Sequence, residues 1–191
     1  MTLLESLRRE KDYKEETLYL ASSLADRYLR SLLRSNRKYP NLILLAVICT
    51  LMAAKLEQPI QPSMVRMIKL VETNWGIKLQ KDDLLKLEYD IIKTLDFSLQ
   101  NGAPTLFLDR YMRLLDLDKD HSAVGKLAKE MCRKFLRAHQ YLSYSAAQVA
   151  TAALTLAINI TKHHELSQSF EIEYVADLAE IRQDQGAAIR L

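Results

Sequence analysis

Two charged residues stand where the surrounding pattern calls for apolar side chains, and they are the best candidates for chemistry in the chain. Rotating Leu84–Leu95 at 100° per residue puts Leu84, Leu85, Leu87, Ile91, Ile92 and Leu95 on one arc of a helix. Lys86, Asp90, Lys93 and Thr94 fall on the other, and Glu88 falls in the middle of the apolar arc. An unpaired carboxylate buried there costs several kcal/mol, so Glu88 requires a partner. The partner is either an internal Lys or Arg, or a second protein that donates hydrogen bonds to the carboxylate. Lys55 closes the apolar run that begins at Leu42. By itself it needs no function, because a cation is favoured at a helix C-terminus. Side by side, Lys55 and Glu88 offer one donor and one acceptor on a mostly apolar surface. Such a pair can clamp the unsatisfied backbone groups of another protein's helix end or loop.

Nothing else in the sequence has the pattern of a reaction centre. His121, His139, His163 and His164 lack metal-ligand spacing with cysteine or carboxylate. Gly76, Gly102, Gly125 and Gly186 are isolated, so no glycine loop cradles a phosphate. No catalytic residue, metal or cofactor is expected. Arg27, Arg30, Arg34 and Arg37 form a basic stripe at helical spacing, and Lys126, Lys129, Arg133 and Arg137 form another. Each reads first as a solvated helix face, and second as a docking surface for an acidic or phosphorylated partner.

The elements that must hold these residues are helical. Only four Gly and four Pro occur among 191 residues, too few for the turns of a sandwich or barrel. With 49% hydrophobic and 27% charged residues, the chain builds a core and is not a disordered tail. Amphipathic spacing predicts helices over 3–13, 15–35, 63–73 and 81–95, with Leu42–Glu57 apolar on every side. A helix of that last kind in a water-soluble protein must be surrounded by other helices. Asn101-Gly102-Ala103-Pro104 is the strongest interior break, and it divides the chain into 1–101 and 102–191. The second part repeats the plan, with amphipathic helices over 105–115 and 122–139. An Ala-rich helix follows over 144–160, and two weaker ones over 169–178 and 180–189. The two apolar helices lie too far apart for a solenoid repeat. The expected architecture is all-α, two five-helix bundles in tandem.

Charge and hydropathy exclude several classes. A net charge of +3, from 27 basic and 24 acidic residues, is too small to mark a dedicated nucleic-acid binder. No run reaches the length of a membrane span. The N-terminus becomes charged within a few residues and does not read as a signal peptide. Cys49 and Cys132 sit in apolar or amphipathic runs, as core residues of a reducing compartment. The expected location is inside the cell and outside membranes, nuclear or cytoplasmic.

Four segments in order, ETLYLASSLADRYLRS, LLAVICTLMAAKLEQ, DDLLKLEYDIIKTLDFSL and APTLFLDRYM, resemble the cyclin box over about residues 16–112. The second half resembles the C-terminal cyclin fold more loosely. The resemblance implies a non-catalytic regulatory subunit, associated with the cell cycle, that binds a cyclin-dependent protein kinase. It implies that Lys55 and Glu88 hold the segment leading into the kinase's mobile helix. Leu56, Tyr89, Ile92 and Phe97 would be neighbouring contacts. It also implies two structural roles: Leu44 as a core leucine, and Asp26 paired with an arginine of the preceding helix.

The departures carry expectations too. The chain starts too late for the whole first helix of the box, so the first bundle reads as shortened. Asp26 then has Arg8 or Arg9 as its available partner. Leu3, Ser6 and Ile43 stand where many cyclins have the tryptophan, glutamate and glutamine of a substrate-docking groove, so recruitment through RxL-type motifs is not expected. The rival reading is a cyclin-box adaptor, a structural piece of a larger assembly that activates no kinase. A transcription factor of the IIB type shares the tandem fold, but the cysteines of its zinc-binding segment are not found here.

Overall fold

The computed structural model describes residues 3–161 except 61, 101, 116, 118–122, 139, 140 and 142. These residues form eight helices and no strand. The chain divides into two compact units, Met1–Gly102 and Ala103–Leu191.

The first unit holds α1 (Leu3–Glu10), α2 (Glu15–Arg34), α3 (Leu42–Glu57), α4 (Met64–Trp75) and α5 (Lys81–Thr94). Helix α3 is the hub and packs against α1, α2, α4 and α5. Its start is fixed by Asn41, whose side chain accepts from the amides of Ile43 (2.8 Å) and Leu44 (3.4 Å). At its other end Gln58 donates to the Thr17 hydroxyl of α2 at 2.7 Å. Val47, Ile48, Cys49, Leu51, Ala53 and Ala54 are completely buried. The expectation of burial on every side therefore holds for the middle of α3. Its ends protrude, since Leu42 and Leu56 are exposed. Leu44, expected in the core, is only partly buried and packs against the core's edge from the first turn.

The scarcity of glycine has a local explanation. Helices α1, α2 and α5 end on left-handed Asp12 (φ 49°), Asn36 (φ 50°) and Asp96 (φ 48°), where glycine is the usual choice. Asp and Asn tolerate this conformation best among residues with a Cβ. In each case the next amide reaches back five residues, Tyr13 to Arg8, Arg37 to Leu32 and Phe97 to Ile92, all at 3.0 Å. Among the described helices only α4 ends on a glycine, Gly76 at φ 66°.

In the second unit, α6 (Pro104–Leu114), α7 (Ala123–Phe135) and α8 (Ala146–Ile160) pack against one another. Pro104 sits at the start of α6, where its missing amide hydrogen costs nothing. Ser145 and Gln148 cap α8 reciprocally, with bonds of 3.2 and 2.9 Å. Val149, Ala150, Ala153, Leu154, Ala157 and Ile158 are buried, while Leu156 and Ile160 are exposed. Helix α7 stops at Phe135, short of the expected 139, and packs Val124, Ala128 and Cys132 inward. An apolar groove of about 630 Å³ runs between α7 and α8, lined by Met131, Phe135, Tyr144, Val149 and Leu156 among others. The helices expected over 169–178 and 180–189, and His121, His139, His163 and His164, lie outside the described residues.

Both cysteines are free and buried, one in each unit. Burial pushes the Cys49 thiol up to about 12, with a smaller contribution from the charge of Asp26. No described helix is long and apolar enough to cross a membrane, and no group of described His, Cys, Asp and Glu has the makings of a metal site.

Candidate functional site

Helices α3 and α5 pack together, and their contact brings the two anomalous charges into register. The Lys55 ammonium donates to Glu88 Oε1 at 2.5 Å, across 33 residues of sequence. The partner that the helical wheel demanded for Glu88 is therefore Lys55. The pair is not sealed in the core: the side chains are 35% and 14% exposed. An ammonium has three donors and a carboxylate has several acceptor positions, so each partner keeps capacity for a second molecule.

The apolar arc of α5 splits in two. Leu84, Leu87, Ile91 and Leu95 face the core. Leu85 and Tyr89 are exposed, and Ile92 is partly buried, on the flank that carries Glu88. Leu56, next to Lys55 on α3, and Phe97, just past α5, are also exposed. Leu85 shares the apolar arc with the core residues by helical phase, yet its side chain faces outward. The arc is wider than α2, α3 and α4 can cover, and its surplus half becomes surface. The Lys93 ammonium stands 5.1 Å from the centre of the Tyr89 ring, a cation–π distance.

Phe97 has φ 58°, a backbone conformation that bulky residues rarely adopt, and it is 74% exposed. Strain of this kind, kept at an exposed aromatic ring, points to use.

Asp90 lies on the polar face of α5, and it does more than meet water. It accepts from the Tyr28 hydroxyl at 2.5 Å and, through both oxygens, from Arg37 at 2.9 Å. Burial pulls its carboxyl up, but the hydrogen bonds from Tyr28 and Arg37 and the charges of Arg37 and Lys93 outweigh this and hold it below the usual range. Burial and the bond to Asp90 push the Tyr28 hydroxyl well up. Arg27 is committed as well, donating to the Ser98 carbonyl at 2.6 Å. Two of the four arginines in the first basic stripe are thus ties: Arg27 joins α2 to the turn after α5, and Arg37, just past α2, joins the last turn of α5. In the second stripe Lys129 pairs with Asp109 of α6 at 3.2 Å, and Arg133 pairs with Glu130.

The expected pairing of Asp26 with Arg8 or Arg9 is not formed. Arg9 binds Glu5 at 3.1 Å within its own helix, and Arg8 donates to the Tyr13 carbonyl at 2.8 Å. Burial raises the Asp26 carboxyl, and the charge of Arg30 one turn along α2 offsets this only in part. A carboxyl that titrates higher in the folded chain than in the unfolded one opposes folding when ionised. The penalty is complete above the folded value and disappears below the unfolded value near 3.8. Asp26→Asn is therefore expected to melt at a higher temperature than the wild type at pH 7, with the difference shrinking to nothing in strong acid. A lower melting temperature at pH 7 would show that Asp26 has a favourable partner in solution.

Comparison with known proteins agrees with this architecture. Residues 1–100 match the family described as "Cyclin, N-terminal domain", and residues 103–181 match "Cyclin, C-terminal domain". Among curated relatives, the G2/mitotic-specific cyclin-B3 of Canis lupus familiaris is 29% identical over 153 residues, covering 79% of this chain and 11% of that protein. Cyclin-A1-4 of Oryza sativa subsp. japonica is 28% identical over 152 residues, covering 78% of this chain and 41% of that one. The chain thus spans between about a tenth and two fifths of the length of these relatives. Among solved structures, a viral cyclin from herpesvirus saimiri has a TM-score of 0.66 at 18% identity, covering 83% of this chain and 66% of its own. A chain in the CAK complex of Chaetomium thermophilum bound to ATP-gamma-S has a TM-score of 0.65, also at 18% identity, covering 98% and 57%. These two likenesses are of fold. With both units matched by the corresponding domain families, the chain belongs to the cyclin family.

Proposed function

We propose that this chain is the regulatory subunit of a cyclin-dependent protein kinase and activates it through the α3–α5 face. The observation that carries the reading is the setting of the Lys55–Glu88 pair. A donor and an acceptor with spare capacity lie beside exposed Leu56 on α3 and exposed Leu85 and Tyr89 on α5, with exposed Phe97 just past the end of that helix. An internal ion pair that only satisfied Glu88 would need no such apolar surround. On this face Lys55 and Glu88 hold the backbone leading into the kinase's mobile helix, while Leu56, Tyr89, Ile92 and Phe97 pack beside it. Docking favours the inward position of that helix, in which the kinase's own Lys–Glu pair and metal-binding residues align for phosphoryl transfer. All catalysis then belongs to the partner.

The test is to mix the purified chain with each of a panel of purified monomeric cyclin-dependent kinases, measuring binding and phosphorylation of a serine peptide. At least one kinase is expected to bind and gain activity by an order of magnitude or more. Binding without stimulation would favour the adaptor reading, for which the pair serves only to satisfy Glu88. No binding to any kinase would remove the proposal.

A further inference from the structure

The end of α5 and the turn after it are held by α2 and the residues just past it, and the ties involve residues given no role in partner contact. Tyr28 and Arg37 grip Asp90, and Arg37 also reaches the Thr94 hydroxyl at 3.3 Å. Arg27 grips the Ser98 carbonyl at 2.6 Å, 71 residues away in sequence. Ser98 directly follows the strained Phe97. On the two sides of the turn, Leu95 is buried and Leu99 packs against the core. The Leu99 amide donates to the Phe97 carbonyl at 3.0 Å. Phe97 is therefore fixed in its left-handed conformation by restraints on its neighbours, while its ring makes no use of the core. Locally, the unstrained alternative would turn the backbone over and carry the ring elsewhere.

We infer that Arg27 is a positioning residue for partner binding, holding the Ser98 carbonyl so that the Phe97 ring is presented on the α3–α5 face before any partner arrives. The inference rests on the proposed function of that face. Its energetic logic is pre-organisation: an anchor already fixed in its bound geometry loses less conformational freedom on docking. Arg27 is suited to the task because its guanidinium bonds to a main-chain oxygen, so the tie depends on where the turn sits and not on the Ser98 side chain.

The experiment compares Arg27→Met, Phe97→Ala and the double variant for affinity to a kinase that the wild type binds, with Glu88→Ala as a control. Methionine keeps an apolar stem and removes the bond. Arg27→Met is expected to weaken binding about 5- to 20-fold, and Phe97→Ala by at least as much. The double variant should be no weaker than Phe97→Ala, because Arg27 acts through that ring. Hydrogen exchange of the unbound protein gives a readout that needs no partner, and the Phe97–Leu99 amides should exchange faster in Arg27→Met. Unchanged exchange would overturn the inference, as would losses that multiply in the double variant. If Glu88→Ala fails to bind while Phe97→Ala binds like the wild type, the kinase-binding reading stands and this inference falls. If neither substitution alters binding, the reading of the face falls first.

Discussion

Alanine at Glu88 is expected to weaken kinase binding by about 1–4 kcal/mol, roughly 5- to 1,000-fold, while leaving the fold nearly intact. The two effects separate because the pair is partly exposed. Losing Glu88 frees the Lys55 ammonium, which is 35% exposed and can turn to water. The stability cost of breaking such a pair is about 1 kcal/mol or less. In the proposed complex the same pair would be covered, and a hydrogen-bonding group left unpaired there carries the full desolvation penalty. The decisive companion is the exchanged variant, Lys55→Glu with Glu88→Lys. It keeps an ion pair between α3 and α5 but reverses which helix offers the donor. If the pair merely ties the helices, the exchange should bind and activate like the wild type. If it clamps a partner's backbone, the exchange should fail about as badly as Glu88→Ala. Affinity and melting temperature measured on the same samples give both answers.

The largest effect on stability is expected at Ile48. Its side chain is fully buried in the middle of the helix against which all four others of the first unit pack. Ile48→Ala removes three carbons from that centre and is expected to cost about 2–5 kcal/mol, against about 0.5–1.5 for Ile48→Val. A domain's whole stability is about 5–15 kcal/mol, so the alanine variant stands near the limit of folding. The chain has one tryptophan, Trp75, which belongs to the first unit and packs against this core. Its fluorescence during urea unfolding therefore follows the first unit alone. A midpoint that barely moves in Ile48→Ala would mean that the centre of the bundle is loosely packed.

What the sequence revealed, and what it hid, follows from the range of the interactions. Glu88 is visible because its anomaly is local: a carboxylate amid leucines and isoleucines within three turns of one helix. Lys55 as its partner is also accessible, since both residues break apolar patterns and the two helices had to touch. Leu85 shows the limit of helical phase, which gives direction but not the width of the neighbour that covers it. Asp90 shows another limit. Its ties to Tyr28 and Arg37 span 62 and 53 residues, and in its own helix it looks like any polar surface residue. The stripe of Arg27, Arg30, Arg34 and Arg37 likewise reads as one charged face, although Arg27 and Arg37 are committed to α5 and its following turn. The strain at Phe97 leaves no trace in residue type, because glycine, the residue that would announce it, is not used there. Asp26 lacks its expected arginine for a simple reason: Arg8 and Arg9 have nearer partners, one on the chain after α1 and one within that helix.

The placement of the two thiols makes each unit its own timekeeper. Cys49 and Cys132 are both buried, Cys132 at the wall of the α7–α8 groove, and the high proton affinity of Cys49 keeps it unreactive even when a small electrophile reaches it. Alkylation of Cys49 must wait until the first unit opens, and alkylation of Cys132 until the packing of α7 on α8 loosens. The intact protein thus reports two separate opening rates, resolvable as two tryptic peptides in one sample. The order in which they become modified says which half of the chain gives way first under heat, a proteostatic load or a damaging substitution.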